Sequence, residues 1–249
     1  MQVIIQNLAT EYLDEGSGTA VLFLHGWMDS LHTFDALAAL LPPTHRIIRL
    51  DLPGFGKTER PKEAWGLDEY VRFVDNFIKK LGVEVDTFVG HSFGGRVILK
   101  GAAENIFHAD KLVLIGSAGI AKRNTPRHLF FNIIAKLGKV ATAIPPLSFW
   151  KEKIRRRFYT RIGSDYADAG ALQETFLKTI SEDLSESAQK IDTPTLLIWG
   201  KNDTATPLSD GERLARLIPR AQLEALDGGH FIHRERPEEV VAFIRNFIC

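Results

Sequence analysis

Cysteine is almost absent from this chain of 249 residues. The only one is Cys249, the last position. A lone terminal thiol excludes a disulfide framework and suits a reducing, cytoplasmic setting. Net charge is absent too, with 31 Lys and Arg against 31 Asp and Glu. That balance removes the electrostatic reason to expect nucleic acid or an acidic polymer as partner. No His-x-x-x-His pair occurs, so no metal site is expected. Long apolar runs are also missing. The greasiest stretch, Leu129 to Leu147, is broken by Lys136, Lys139, Pro145 and Pro146. A charge near a bilayer centre costs roughly 2.5 kcal/mol or more, so no membrane span is expected. Met1 to Gln6 has neither the basic nor the apolar region of a signal peptide. Gly54-Phe55-Gly56-Lys57-Thr58 looks like a phosphate-binding loop. That motif needs a glycine five positions before its Gly-Lys pair, and Asp51 stands there.

What is present is a rhythm. Val21 to Leu24, Ile47 to Leu50, Thr87 to Val89, Leu112 to Ile115 and Leu196 to Trp199 are short, mostly apolar runs. Such runs read as parallel strands buried on both faces. Leu223 to Leu226 is a weaker run. Helical patterns separate them at Phe34 to Leu41, Asp68 to Leu81, Gly95 to Ala103, Gly211 to Leu217 and Glu238 to Phe247. The alternation predicts an α/β fold with a doubly wound parallel sheet, and the length suits one substantial core. Val3 to Leu13 alternates loosely, which predicts a hairpin or a pair of edge strands.

The rhythm breaks between about Ile120 and Ser185. Only helical stretches appear there: Arg127 to Lys139, Phe149 to Arg161 and Gly170 to Glu182. The expected organisation is therefore a core of residues 1–119 and 186–249 with a helical cap at 120–185. Between Lys122 and Leu184 there are twelve Lys and Arg against six Asp and Glu, so this insert is basic. A solvated face is the expected home of most of that charge. The sharper alternative is that one or two arginines reach the pocket mouth and attract a carboxylate-bearing substrate.

The most informative stretch is Gly90-His91-Ser92-Phe93-Gly94-Gly95, between an apolar strand and a helical pattern. A serine centred in Gly-x-Ser-x-Gly on a strand-to-helix turn is a nucleophile elbow. The turn is tight, so the positions two before and two after the serine must be small. A serine hydroxyl is a poor nucleophile at neutral pH and needs a general base, itself oriented by an acid. Chain order after such an elbow is acid, then histidine. Asp203 follows the Leu196 run, and His230 follows Gly228-Gly229 beyond the last strand. Asp51 and Asp227 are rival acids: the first opens a Pro-Gly turn, and the second lies close in sequence to His230. Of the other histidines, His91 is expected to point away from Ser92. His233 is expected to be a helix cap or a surface group. Acyl transfer also needs amide donors for an oxyanion. The N–H of Phe93 is one candidate, and the N–H of Trp27, in His25-Gly26-Trp27 after an early strand, is the other.

His25-Gly26-Trp27, Asp51-Leu52-Pro53-Gly54-Phe55-Gly56, the Gly90 to Gly95 hexapeptide, Asp203 and Gly229-His230 together resemble the α/β-hydrolase superfamily. The resemblance spans the chain outside the insert. It implies an eight-stranded, mostly parallel sheet with helices on both faces and a helical cap. It also implies Ser92 as nucleophile, His230 as base, Asp203 as acid, and Trp27 and Phe93 as oxyanion donors, with no cofactor. The His-Gly-Trp loop and capped layout look most like the esterase, perhydrolase and carbon–carbon hydrolase branch. The expected partner is a small-molecule acyl substrate, most simply a carboxylic ester. Phe130, Phe131, Ile134 and Trp150 of the cap are candidates to line its pocket. Carbon–carbon cleavage of a dienoate diketone and slow-turnover ligand sensing are the competing readings.

Overall fold

A computed structural model of the protein describes residues 1–120 and 170–248. Its elements run β1 (Gln2–Ile5), β2 (Leu8–Glu15), β3 (Thr19–Leu24), a 3-10 turn (Leu31–Phe34), α1 (Asp35–Leu40), β4 (His45–Leu50), α2 (Leu67–Leu81), β5 (Val85–His91), α3 (Phe93–Ala103) and β6 (Lys111–Ile115). After residue 170 come α4 (Gln173–Ser181), α5 (Ser185–Ala188), β7 (Thr195–Gly200), α6 (Leu208–Leu217), β8 (Ala221–Leu226), α7 (Ile232–Glu235) and α8 (Pro237–Ile248). Tertiary contacts divide the chain into two units, residues 1–120 with 178–249 and residues 121–177. All eight strands belong to the first.

They form one sheet in the order β1-β2-β4-β3-β5-β6-β7-β8. The first two are antiparallel, as the loose alternation after Val3 predicts, and β4 onward is parallel. The apolar runs are parallel strands for a direct reason: helices cover both faces, so every position is buried. Val21, Leu22, Phe23 and Leu24 are all fully buried. Alternate residues face opposite sides. Val21, Phe23, Val89, Val113, Leu196 and Ile198 pack with Leu37 of α1 and Val240, Val241 and Ile244 of α8. Each such side chain contributes roughly 1.5–3 kcal/mol on burial.

Helix ends follow from local chemistry. Glu69 turns back to accept from the Gly66 amide at 2.7 Å, which starts α2. Gly82, left-handed at φ 62, ends it. The chain passes from β3 leftward to β4 and then returns to β5 on the other side of β3. That reversal opens a crevice at the carboxyl ends of β3 and β5.

Candidate active site

Trp27 follows β3, Ser92 follows β5, Asp203 follows β7 and His230 follows β8. These strands are parallel, so their carboxyl ends share one edge of the sheet. The topology thereby collects residues up to 203 positions apart in sequence.

Ser92 lies on the turn between β5 and α3 with φ 49 and ψ −106. A non-glycine residue held in a sparsely populated region costs about 1–3 kcal/mol and persists only when its surroundings over-determine it. Here the Ser92 amide donates to Ile115 at 3.0 Å, and its carbonyl accepts from Arg96 and Ala118, each at 3.1 Å. The glycines around it are required by close approach. A Cβ on Gly90 would lie 2.6 Å from the Gly95 nitrogen, and one on Gly94 would collide with the Leu24 carbonyl. Phe93 opens α3, so its N–H belongs to the first turn, which has no intrahelical acceptor. Arg96, on the same helix, donates through Nε to the Thr179 carbonyl at 2.7 Å and through Nη2 to that of Glu182. It thereby caps the carboxyl end of α4.

Asp203 and His230 meet. His230 Nδ1 lies 2.7 Å from Asp203 Oδ2. The amides of Ala205 and Thr206 donate to Oδ1, each at 2.9 Å, and Thr206 Oγ1 lies 2.8 Å from Oδ2. Burial by itself would raise the Asp203 carboxyl, but the bonds from His230 and Thr206 outweigh it and hold the carboxyl below its ordinary range. It is therefore an anion facing the imidazole. The rival acids are engaged elsewhere. Asp51 accepts from the amides of Leu31 at 2.7 Å and Lys57 at 2.8 Å, so it ties two loops together. Asp227 is exposed and pairs with Lys201 at 3.0 Å.

The loop carrying Trp27 is pinned from behind. His25 Nδ1 donates to the Gly26 carbonyl at 2.7 Å, and Nε2 accepts from the Leu52 amide at 3.0 Å. Burial lowers this imidazole, which fits its acceptor role, since Nε2 can accept only when unprotonated. Met28, the residue after Trp27, is left-handed at φ 54. The Trp27 ring packs on Phe55 and Phe93, at centroid distances of 4.9 and 5.3 Å. The side chains of the two expected amide donors thus touch each other.

The alpha/beta hydrolase family pattern matches residues 21–243. The chain belongs to the alpha/beta hydrolase family. The uncharacterized hydrolase YugF of Bacillus subtilis is 29% identical over 257 residues, covering 97% of this chain and 94% of that one. Human monoacylglycerol lipase ABHD6 is 26% identical over 258 residues, covering 94% and 76%. Among solved structures, the meta-cleavage product hydrolase CumD of Pseudomonas fluorescens IP01 superimposes with a TM-score of 0.74 at 23% identity, covering 99% and 96%. That last likeness is one of fold.

Three features of this alpha/beta hydrolase are not legible in its sequence. His233 is expected to be a helix cap or a surface group, yet its side chain is fully buried, with Nε2 2.8 Å from Thr33 Oγ1. The reason is that α7 is a single turn tucked under the 3-10 turn, so its second residue faces inward. His91 is buried as well. Its Nε2 donates to the His230 carbonyl at 3.0 Å, and the two rings lie 4.8 Å apart. The residue before Ser92 thereby anchors the backbone of His230. Thr206 is the other unforeseen participant; only its place three residues after Asp203 hinted at a turn. Phe130, Phe131, Ile134 and Trp150 lie outside the described residues. No helix among the described residues is long and apolar enough to cross a membrane.

Burial and neighbouring positive charge push the His91 imidazole down to about 3. Burial also lowers His25 and His233. Between pH 6.5 and about 3 the unfolded chain therefore binds a proton that folded His91 refuses. Stability is at its full value above about 6.5 and falls as pH falls. At pH 5.5 His91 by itself is expected to remove about 1 kcal/mol, and the other two act in the same direction. Thermal unfolding measured from pH 7.5 to 5.5 should show Tm dropping by several degrees, with a shallower slope in His91→Gln. A flat profile would contradict the neutral, buried state of these rings.

Proposed function

We propose that this alpha/beta hydrolase is a serine hydrolase that cleaves a small carboxylic ester through an acyl-enzyme. The observation that carries the reading is the pairing of anionic Asp203 with His230 Nδ1 at 2.7 Å, at the sheet edge that also bears the strained Ser92 turn. In this reading Asp203 holds the proton of His230 on Nδ1, which leaves Nε2 as a base. Nε2 takes the hydroxyl proton as Ser92 Oγ attacks the carbonyl carbon. The tetrahedral oxyanion is held by the N–H groups of Trp27 and Phe93. Collapse breaks the ester C–O bond, and the imidazolium returns its proton to the leaving alcohol. Water, deprotonated by the same Nε2, then attacks the acyl carbon and frees the acid with Ser92 restored. No cofactor enters this sequence.

We propose further that the basic insert from 120 to 185 is a helical cap whose Phe130, Phe131, Ile134 and Trp150 bound the acyl pocket. A fluorophosphonate tests the chemistry directly. The expected product is a one-to-one adduct located on Ser92 by peptide mass spectrometry, with loss of turnover on p-nitrophenyl esters of graded length. Modification at a different residue, or none, would count against Ser92 as nucleophile. Including a dienoate diketone in the same substrate panel separates ester from carbon–carbon cleavage.

A further inference from the structure

Thr206 makes more contacts with the Asp203–His230 pair than any packing role requires. Its amide donates to Asp203 Oδ1 at 2.9 Å. Its Oγ1 lies 2.8 Å from Asp203 Oδ2, 3.0 Å from the Gly116 carbonyl and 3.2 Å from His230 Nδ1. It is buried, and its own carbonyl accepts from Trp199 Nε1 at 2.8 Å, which fixes the turn against the core. The hydroxyl has one proton and two acceptors in reach. Asp203 Oδ2 is the nearer and carries charge, so it is the stronger acceptor. With that proton on Oδ2, a lone pair of Oγ1 faces the Nδ1–H of His230. The carboxylate then accepts four bonds: two amides on Oδ1, and the hydroxyl and the imidazole on Oδ2.

We infer that the Thr206 hydroxyl is a positioning residue for the hydrolytic reaction, holding the Asp203 carboxylate and the His230 Nδ1–H in register and sharing the carboxylate's charge. The inference rests on the serine-hydrolase reading above. Its physical basis is competition for one oxygen. A donor on Oδ2 draws charge away from the imidazole. Removing that donor leaves a carboxylate that grips the imidazolium more strongly, so the imidazole keeps its proton to higher pH. Removing it also frees Oδ2 to swing, which misaligns Nε2. Among the described residues, the His91 ring lies 4.8 Å from that of His230, and α7 carries His233, Arg234 and Glu235, the last accepting from the Gly229 amide at 2.8 Å. Burial keeps both histidines neutral, and Arg234 is paired with Asp29 at 2.7 Å. Asp203 is the anion in hydrogen-bond contact with the His230 ring, at 2.7 Å.

The experiment compares Thr206→Val, Thr206→Ala and Thr206→Ser with the wild type. Thr206→Val keeps the shape and loses the hydroxyl, Thr206→Ala loses both, and Thr206→Ser keeps the hydroxyl and loses the methyl. The readouts are kcat/KM for p-nitrophenyl acetate across pH, Tm, and the downfield proton resonance of His230 Nδ1–H by NMR. Expected are about tenfold lower kcat/KM in Thr206→Val and Thr206→Ala, acid limbs moved to higher pH, and an altered Nδ1–H resonance. Thr206→Ser should restore all three to near wild type whatever its Tm. If Thr206→Val does not fold, the contrast between Thr206→Ala and Thr206→Ser decides. Wild-type pH profiles and resonances in the hydroxyl-free variants would overturn the inference, as would equal losses in Thr206→Ser and Thr206→Ala. A separate control distinguishes its failure from that of the underlying reading: if wild-type turnover survives Ser92→Ala, the serine-hydrolase assignment itself has failed.

Discussion

Replacing Ser92 with alanine is expected to lower kcat/KM on any ester the wild-type protein hydrolyses by roughly 10⁴-fold or more. The expectation follows from what remains. Alanine offers no nucleophile, and a water admitted in its place is not held on the strained turn at φ 49. In the proposed mechanism the oxyanion donors are backbone amides that this substitution leaves in place, so a residual rate above that in water should persist. Binding of a non-hydrolysable ester analogue should stay near its wild-type value. The fold should stay intact too, because the bonds fixing residue 92 come from its backbone, to Ile115, Arg96 and Ala118. Progress curves at high enzyme concentration, with Tm measured in parallel, check this. A retained rate with a retained fold would remove Ser92 from the chemistry and with it the acyl-enzyme.

Asp203→Asn is expected to reduce kcat by about 10⁴-fold while leaving the protein folded. The two amide donors on Oδ1, from Ala205 and Thr206, favour the asparagine carbonyl at that position. The side-chain NH₂ then occupies the place of Oδ2, 2.7 Å from His230 Nδ1. Two N–H groups cannot face each other there, so the imidazole moves its proton to Nε2 and presents a donor where a base is needed. The imidazolium formed during attack also loses its counter-charge. Rate measurements across pH, with circular dichroism as a check on folding, are the test. A near-native rate in the folded variant would place the orienting charge on another carboxylate.

The Gly90 to Gly95 hexapeptide is legible in one dimension because its demands are local. Gly90 and Gly94 must be small where the backbone of the turn and Leu24 come close, and a spacing of two residues expresses that. The parallel strands are legible because burial on both faces removes polar residues from Val21 to Leu24 and from Leu196 to Trp199. Loss of that rhythm after Ile120 likewise marks the insert without any knowledge of its shape. The pairing of Asp203 with His230, 27 residues apart, needed chain order as well as composition, since Asp51 and Asp227 satisfy the same chemistry on paper.

Contacts between distant loops were decided by tertiary structure alone. Which carboxylate faces the imidazole depends on β7 and β8 lying side by side, and Asp51 is instead consumed by the amides of Leu31 and Lys57. His233 goes inward because Thr33, 200 residues earlier, supplies its hydrogen-bond partner. His91 meets the carbonyl of His230 across 139 residues. Thr206 carries no sequence signal, because a hydroxyl after an acid marks an ordinary turn until the fold places an imidazole 3.2 Å from it. Sequence thus determined the family, the sheet and the residue types able to do the chemistry, each written in local spacing and burial. The partners that hold those residues in place came only from the fold, because hydrogen bonds between remote loops leave no periodicity to read.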